Sequence, residues 1–537
     1  MPGRKVSRDG PAWMKGALLL TAAAVFVKGL SALYKIPYQN ITGDLGFYVY
    51  QQIYPLYGAA FVIGTFGFPL MLAKWTAGKQ EAAAPDAGRL RFFFWALVVL
   101  HTVVAAAVTV FAPAIASLIG DPSLSPALRF MGLPFMLIPF LAFGRGWFQG
   151  RGDALPSALS QVAEQSVRVV MILLVASFAM YLSGNPYYAG ISAGAGALAG
   201  GAAGSIFLFR RYRRDPAAVT LNPFAAGSGP LFPEGWFKDT KIFLVSGFYV
   251  SASAMALILF QAADALTVIP ALTADGMAPE AAGEVKGVYD RSWPLVQFGA
   301  VVTTVFSYGA VPSVVRSFAN GDNKAVREET ARAVKIAAVF GSAAAVGMAA
   351  VMPALNPMMF TDRNGTELLM VMSSVVLSGS IFMTAAALLH ALDRAREAAL
   401  WLGAALIVKT VFTFIAVSFW GIAGAAFASA LVFLCLAAAV LSVLIKHGWL
   451  PLPGWKTSGR LAAALGLMAA AAAAIRTSAD GLLAAERAAS AAGALTASAG
   501  GALLFILLIW RFKVFSADEW EQLPKLGRWL PYPEKHD

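Results

Sequence analysis

The sequence predicts an all-α integral membrane protein with 14 transmembrane helices. Of its 537 residues, 58% are hydrophobic and only 13% are charged, a balance too apolar for a soluble surface. Apolar runs of about 20 residues recur along the whole chain, and each is long enough to cross a hydrocarbon core roughly 30 Å thick. The predicted spans, in chain order, are 14–34, 46–72, 92–119, 128–148, 155–182, 187–209, 242–268, 293–315, 336–357, 367–390, 398–417, 420–445, 459–475 and 488–510.

The distribution of positive charge supports both the number of spans and their orientation. With the amino terminus in the cytoplasm, the cytoplasmic segments hold 31 of the 41 Lys and Arg residues, the opposite side holds 7, and 3 lie inside helices. Cytoplasmic loops of membrane proteins are enriched in Lys and Arg in this way. We therefore expect a multi-pass protein of the cytoplasmic membrane with both termini inside, and this sorting explains the net charge of +12 without a nucleic-acid partner.

The first predicted helix, 14–34, begins like a signal peptide but is expected to be retained, because no small-residue cleavage site ends it. A lysine at the centre of a membrane helix costs roughly 2.5–3.5 kcal/mol. Lys28 and Lys35 are seven residues apart, on one stripe about 10 Å long that must face protein or a water-filled cavity. The alternatives are that Lys28 snorkels to the outer headgroups and that Lys35 is interfacial.

Two further basic residues, Arg168 and Lys409, are predicted near the middle of the bilayer, where snorkelling is hardest. Glu164, four residues before Arg168, lies on the same helical face, so a structural ion pair is one interpretation. Lys409 has no carboxylate within one turn, so its charge must meet another helix, water or an anionic ligand. We predict a cationic, substrate-binding cavity lined by four residues: Lys28, Lys35, Arg168 and Lys409.

Asp264, in LFQAADALTVIP, is a further carboxylate predicted to lie in the membrane. Both Asp264 and Glu164 are candidates for H⁺ or Na⁺ coupling or for a counter-charge, Asp264 towards Lys28. The tyrosines of FYVYQQIYPLY (47–57) are candidates for stacking on sugars, but the outer end of a helix is also typical of an aromatic belt. No metal or cofactor is predicted because the four histidines are scattered, and the single cysteine, Cys435, rules out an intrachain disulfide.

Prolines recur in two helices, with Pro55 and Pro69 in the second, and Pro294 and Pro312 in the eighth. Because proline removes a backbone donor and permits a kink, these helices are expected either to bend as a cavity opens or to hold static kinks.

An offset near 240 residues relates two halves of the chain and pairs Pro55 with Pro294 and Arg168 with Lys409. Six helices separate each pair, which predicts a parallel repeat of the kind that encloses a substrate site near the midplane. The expected domains are a six-helix lobe at 1–209, a cytoplasmic linker at 210–241, a second six-helix lobe at 242–445, helices 13 and 14 at 446–510, and a cytoplasmic tail at 511–537.

The segment KGALLLTAAAVFVKGLSALYKIPYQNITGDLGFYVYQQIYPLYGAAFVIGTFGFPLMLAK (15–74) resembles the amino-terminal block of the stage V sporulation protein B-like polysaccharide biosynthesis proteins. GWFQGRGDALP and the tail SADEWEQLPKLGRWLP are similar to the same family, which belongs to the multidrug/oligosaccharidyl-lipid/polysaccharide (MOP) flippase superfamily with its MurJ-like lipid II flippases. The resemblance implies a V-shaped, MATE-like bundle of two pseudo-symmetric lobes that moves lipid-linked sugar precursors outward. It also implies that helices 13 and 14 line a groove for the polyprenyl tail.

In this family, basic residues of the cavity bind the pyrophosphate. Lys28 matches the basic position of the first helix, with Lys in place of the more usual Arg, and the second basic position falls at Tyr34 or Lys35. The function favoured is a flippase for an undecaprenyl-pyrophosphate-linked saccharide, with lipid II as one candidate. Its partners would be this substrate and membrane lipids, with H⁺, Na⁺ or the membrane potential as the driving force.

Other functions stay open. A cation-coupled multidrug exporter of the same superfamily would need a carboxylate-dominated cavity. A membrane glycosyltransferase or ligase would need catalytic carboxylates or histidines on outer loops, and TADGMAPEAAGEVKGVYDR (273–291) has no recognisable catalytic spacing. A non-transporting scaffold for cell-wall assembly is the remaining alternative. We therefore expect a transporter and not an enzyme.

Overall fold

A computed structural model of the protein describes residues 23, 26–27, 29–31, 33–77, 87–215, 235–308, 311–360, 362–451, 455–479, 486–521, 523 and 530–532. Every regular secondary-structure element in these ranges is helical, which confirms the all-α prediction. The α-helices are α1 (Lys35–Val62), α2 (Phe68–Ala77), α3 (Ala87–Val110), α4 (Ala112–Ile119), α5 (Ser125–Gly132), α6 (Ile138–Gly150), α7 (Leu155–Ser183), α8 (Pro186–Ala189), α9 (Ile191–Tyr212), α10 (Trp236–Ala254), α11 (Ala256–Ala274), α12 (Pro279–Asp290), α13 (Ser292–Tyr308), α14 (Val311–Ala319), α15 (Asn323–Phe360), α16 (Thr366–Ala391), α17 (Ala395–Trp420), α18 (Ile422–Lys446), α19 (Trp455–Ala479), α20 (Glu486–Arg511) and α21 (Ala517–Glu521).

Twelve helical stretches in the described ranges are long and apolar enough to cross a membrane, as expected of a multi-pass membrane protein. The predicted number of 14 is not confirmed. The first predicted span, 14–34, lies largely outside the described residues. The eighth corresponds to α13, which has 17 residues and is shorter than the roughly 20 that cross a bilayer. The seventh is divided at Met255 into α10 and α11.

The helix α1 is a hairpin, because Gly43 reverses the direction of the chain inside it. Gly43 has φ 68° and ψ −174°, a conformation that is essentially restricted to glycine, whereas the rest of α1 keeps helical dihedral angles. Across this turn the Tyr34 and Tyr50 hydroxyls share a hydrogen bond, and the Tyr38 and Phe47 rings lie 6.5 Å apart. The loop expected between the first two spans is thus reduced to one glycine between two helical arms.

The second arm of α1 ends in a π-helical turn, Ile63–Gly67, directly before α2. π turns interrupt the regular pattern of helical hydrogen bonds and are frequent at functional sites. Gly67 packs so closely against α10 that a Cβ atom there would lie 1.9 Å from Ser251 Oγ. A side chain at this position would push the π turn away from α10.

The contacts divide the chain into two compact units, one ending at Ile269 and the other beginning at Pro270, inside α11. The first unit has an aromatic core in which the Phe243 ring of α10 stacks on Phe68 at 5.4 Å and on Phe93 at 4.7 Å. The lobe and linker limits expected from the sequence stay a prediction.

In the second unit, the last two spanning helices, α19 and α20, pack against each other and against α15. Small residues permit this approach, since a Cβ atom at Gly501 of α20 would lie 3.4 Å from Ala472 of α19. Trp520 of α21 is buried in the same apolar cluster as Met468 and Phe505. The helices α19 and α20, which lie outside the predicted duplication, therefore pack as part of the second unit.

Candidate functional site

Arg168, near the middle of α7, is enclosed by tyrosines from both sides of the Gly43 turn. Its Nη2 donates hydrogen bonds to the hydroxyl oxygens of Tyr34 at 3.1 Å and Tyr50 at 3.0 Å. Its guanidinium carbon lies 3.4 Å from the centroid of the Tyr57 ring. We call Tyr34, Tyr50 and Tyr57 the tyrosine box.

The tyrosine box solvates Arg168 without neutralising it. The side chain is buried, and removing an unpaired ion from water costs several kcal/mol. A desolvated cation over an aromatic ring recovers about 2 kcal/mol of this cost. Within the described part of the chain, Arg168 contacts only neutral groups, namely the tyrosine box and Gln165. The site therefore keeps a net positive charge.

The same cluster has more hydrogen-bond donors than described acceptors. The Nε–H of Arg168 and the Tyr57 hydroxyl have no described hydrogen-bond partner. The Tyr34 and Tyr50 hydroxyls share one hydrogen bond and both accept from Arg168, so one of their two protons is not used by a described group. A buried cation with surplus donors is suited to an anion with several oxygens, such as a phosphate.

Glu164 does not pair with Arg168, contrary to the interpretation from their spacing. Its carboxylate forms a buried ion pair with Arg145 of α6. The Arg145 guanidinium also donates to Gly64 O in the π turn at 3.1 Å and to Thr65 Oγ1 at 2.9 Å. Because Arg145 meets Glu164 and the polar atoms of the π turn together, the Glu164 charge is neutralised there, and Arg168 extends towards the tyrosines instead.

A small cavity of about 20 Å³ lies beside this ion pair. Its walls include Arg145, Glu164, Gly64 and Tyr57. A cavity of this size holds about one water molecule. Tyr57, whose ring stacks on Arg168, therefore lies next to the Arg145–Glu164 pair.

Lys35 is fully buried within the protein. Its Nζ lies 3.7 Å from the centroid of the Tyr54 ring. The Tyr54 and Tyr57 rings are neighbours, with centroids 6.2 Å apart. Lys35 and Arg168 therefore stack on adjacent members of one row of aromatic rings, and the structure brings these two predicted site residues together.

The tyrosines 48–57 do not form a lipid-facing aromatic belt. All four are buried, with between 0% and 8% of their surface exposed. Tyr50, Tyr54 and Tyr57 belong to the row described above, while Tyr48 donates a hydrogen bond to Asp121 Oδ2 at 3.2 Å. Sequence position alone does not separate a belt tyrosine from one that faces a buried charge.

In the second unit, Lys409 of α17 is also buried among hydroxyl groups. Its Nζ donates to Thr413 Oγ1 at 2.9 Å and to Ser429 Oγ of α18 at 2.8 Å. Ser429 is in turn 2.8 Å from the Tyr289 hydroxyl, and its own proton is donated to Ala425 O. Tyr289 must then be the donor to Ser429, which accepts from both partners.

The surroundings of Arg168 and Lys409 follow the predicted internal repeat. Tyr50 and Tyr289 each precede by five residues the prolines that the repeat pairs. Tyr50 contacts Arg168 directly, and Tyr289 reaches Lys409 through Ser429. Each unit therefore surrounds its buried basic residue with hydroxyls that include the tyrosine at the equivalent position.

The other predicted site residues have separate positions. Lys28 lies outside the described residues, and Asp264 is fully buried in α11. Among the four predicted kink residues, Pro55 lies inside α1 and Pro69 lies in α2 just after the π turn, while Pro294 and Pro312 occupy the first turns of α13 and α14, where proline is tolerated.

Two charge pairs at the start of the second unit were not anticipated, one fully buried and one with a buried arginine and a partly exposed aspartate. The outer loop expected at 273–291 contains the helix α12, in which Lys286 Nζ lies 2.8 Å from Asp290 Oδ2. Arg291 forms a bidentate pair with Asp362, with distances of 2.8 and 2.7 Å. The spacing of Lys286 and Asp290 by four residues was a signal for the first pair, because such residues are neighbours on a helix.

The sequence matches a family described as polysaccharide biosynthesis protein over residues 13–301. The uncharacterized membrane protein YabM of Bacillus subtilis is 33% identical over 439 residues, covering 81% of this chain and 80% of YabM. The lipid II flippase MurJ of B. subtilis is 23% identical over 440 residues, covering 78% and 80%. Stage V sporulation protein B of B. subtilis is 26% identical over 206 residues, covering 37% and 38%.

Two solved structures have the same fold. The lipid II flippase MurJ, in an inward closed conformation, superposes with a TM-score of 0.61 at 11% identity, covering 93% of this chain and 98% of MurJ. An inward-facing multidrug resistance MATE family transporter of the MOP superfamily superposes with a TM-score of 0.59 at 16% identity, covering 78% and 94%. The expected MOP-type fold is confirmed, and because it serves both a flippase and a multidrug transporter, fold alone does not distinguish these functions.

Proposed function

The chain belongs to the polysaccharide biosynthesis protein family, and on that basis we propose that it is a flippase for an undecaprenyl-pyrophosphate-linked saccharide. The substrate, with lipid II as one candidate, would move outward across the cytoplasmic membrane without chemical change. The observation that carries this proposal is the buried, unneutralised charge of Arg168 in the tyrosine box. A multidrug exporter of cationic compounds would have little use for such a charge.

The physical task is to carry a pyrophosphate through a medium that cannot hydrate it. A guanidinium offers several N–H donors in a fixed fork and matches phosphate oxygens in pairs, whereas an ammonium is a point charge. Lys35, on the neighbouring tyrosine, would add a second positive charge to the same headgroup. We propose Lys28 and Lys409 as further cations of the pathway.

An inside-negative membrane potential would favour outward movement of the anionic headgroup by about 2.3 kcal/mol per elementary charge per 100 mV. We propose this potential, or H⁺ or Na⁺ exchange at a buried carboxylate, as the source of energy. Asp264 is the candidate for ion exchange. Glu164 is the weaker candidate, because Arg145 already neutralises it.

We also propose that the groove for the polyprenyl tail involves α19 and α20 and that both termini lie in the cytoplasm. Supporting observations are the position of these two helices outside the predicted repeat and the sorting of Lys and Arg along the chain. The domain limits given by the sequence are part of the same proposal.

Transport into liposomes tests this function. The full-length protein would be reconstituted with fluorescent lipid II, and the fraction accessible to an impermeant reagent would be followed over time. We expect Arg168→Gln to slow transport at least about tenfold, since it removes one charged contact worth roughly 1.5–3 kcal/mol. The matched control is Arg129→Gln, at an exposed arginine of α5. Wild-type transport in Arg168→Gln would refute the role of the tyrosine box, and no transport by the wild type would refute the substrate.

A further inference from the structure

A second cavity in the first unit lies away from the tyrosine box, between α3, α6 and α9. Its volume is about 830 Å³. Its walls are mainly apolar and aromatic and include the side chains of Phe94, Leu137, Phe140, Phe143, Ile206 and Phe209. We call it the α9 groove. A lining of this kind accommodates hydrocarbon rather than a polar metabolite.

The length of the α9 groove matches one leaflet of a bilayer. Along α9 it runs from Ala202 to Arg213. The 11 steps between these two residues rise about 16 Å at 1.5 Å per residue, and half of a hydrocarbon core roughly 30 Å thick is about 15 Å. A lipid that entered from one leaflet would therefore fit with its headgroup at the arginine end and its chain at Ala202.

The arginine end of the groove carries positive charge that no described carboxylate neutralises. Arg210 and Arg213 both line it, and Arg213 lies 5.4 Å from the centroid of the Phe209 ring. The nearby Asp215 is engaged elsewhere, with Arg151 at 3.7 Å and with Trp147 Nε1 at 3.0 Å. In the described ranges, neither groove arginine forms an ion pair, so both are available to a phosphate.

A polar residue lines the groove between its apolar end at Ala202 and its arginine end. Ser205 lines the groove, and its hydroxyl has no hydrogen-bond partner among the described residues. It precedes Arg210 by five residues, or about 7.5 Å along the helix. This buried hydroxyl is therefore an unused polar group beside the apolar part of the groove.

We propose that the α9 groove binds an anionic phospholipid of the surrounding membrane, with its phosphate on Arg210 and Arg213 and an acyl chain among the aromatic side chains. The charge at the mouth selects an anionic headgroup over a zwitterionic one, and the apolar walls select a lipid over free phosphate. This proposal does not depend on which substrate the protein transports.

The position of the groove gives the lipid a structural role. On α9, Ala202 and Ile206 face the groove, whereas Gly200 lies on the opposite side against α7. A Cβ atom at Gly200 would lie 2.8 Å from the Cβ atom of Arg168. A lipid in the groove therefore supports the helix that packs directly behind the Arg168 site.

Lipid binding to the purified full-length protein tests this site. Thermal stability in detergent and native mass spectrometry would be measured with dioleoyl phosphatidylglycerol, with dioleoyl phosphatidylcholine and with inorganic phosphate. We expect the anionic lipid to bind most tightly and to raise the melting temperature, and inorganic phosphate to have no effect. Equal binding of the two lipids would overturn the proposal, and so would stabilisation by phosphate alone.

Variants locate the binding to the groove. Arg210→Gln with Arg213→Gln should weaken binding of phosphatidylglycerol by about tenfold or more. The control is Arg211→Gln with Arg214→Gln, which removes the same charge from exposed residues of the same segment that do not line the groove. Ala202→Phe, which fills the groove without a change of charge, should also weaken binding. An equal loss of phosphatidylglycerol binding in the two double-arginine variants would refute the site. Undiminished binding in Ala202→Phe would refute it as well.

Discussion

The guanidinium carbon of Arg168, in a helix long and apolar enough to span a membrane, lies 3.4 Å from the centre of the Tyr57 ring. Two more phenol groups accept its hydrogen bonds, and no described carboxylate balances its charge. A bilayer-spanning segment rarely keeps a charge in this state unless the charge has a function. The relationship between Arg168 and Tyr57 thus connects the stability of the fold to the proposed transport of an anion.

The contribution of the Tyr57 ring can be separated from that of its hydroxyl. Tyr57→Leu should lower the free energy of unfolding by about 2 kcal/mol, because the face that solvates Arg168 is lost. The free energy of unfolding of Tyr57→Phe should remain close to that of the wild type, because the Tyr57 hydroxyl has no described hydrogen-bond partner. Thermal unfolding in detergent measures both. Tyr181→Leu, at a tyrosine of α7 that is 87% exposed, is the control for general loss of aromatic area. Equal effects of Leu and Phe at position 57 would contradict the cation–π role.

The Arg145–Glu164 pair should behave as one unit. Glu164→Gln should destabilise the protein by about 3–5 kcal/mol, because it leaves the Arg145 charge buried without its partner. The double variant Arg145→Met with Glu164→Leu should lose clearly less stability than the sum of the losses in Arg145→Met alone and Glu164→Leu alone. A double-mutant cycle from chemical or thermal unfolding measures the coupling. Additive costs would show that the pair does not act as one.

The pair of Arg291 and Asp362 predicts a dependence of stability on pH. Burial opposes ionisation of Asp362, but hydrogen bonds from Arg291 and from the backbone N–H of Asn364 outweigh it and hold the pKa of the carboxyl below its usual value of 3.8. A carboxyl whose pKa is lower in the folded state stabilises the fold above the unfolded pKa. This contribution is lost as the pH falls through the lowered folded value.

Melting temperatures measured at a series of pH values check this. The difference in melting temperature between the wild type and Asp362→Asn should be constant above about pH 4 and should shrink below that pH. Asp518→Asn, at an exposed residue of α21, controls for the loss of one carboxylate. A difference that grew on acidification would contradict the assigned direction of the pKa.

The amino-acid sequence predicted the fold class, and it placed Arg168 and Lys409 inside apolar spans, where a charge must face protein or a water-filled cavity. It did not predict the partners of these charges. Arg145 lies near the cytoplasmic end of the predicted span 128–148, where a basic residue suits the cytoplasmic side, although it is fully buried. Whether a basic residue near a helix end faces water or a neighbouring helix depends on tertiary packing.

The tyrosines of 47–57 and the turn at Gly43 show the same limit. Tyrosine suits both a membrane interface and a buried polar contact, so its position in the chain does not decide between them. The polar stretch QNITGD indicates a loop, whereas the structure keeps both arms helical up to one glycine with positive φ. The hairpin brings Tyr34 beside Tyr50, a contact that no local sequence pattern predicts.

The most direct test of the central claim is the binding of undecaprenyl pyrophosphate to the purified full-length protein, with Arg168→Gln and Arg129→Gln compared with the wild type. We predict that Arg168→Gln weakens binding by at least about tenfold, as expected for one charged contact, and that Arg129→Gln binds like the wild type. Undiminished binding by a folded Arg168→Gln protein would contradict the assignment of the tyrosine box as a phosphate site.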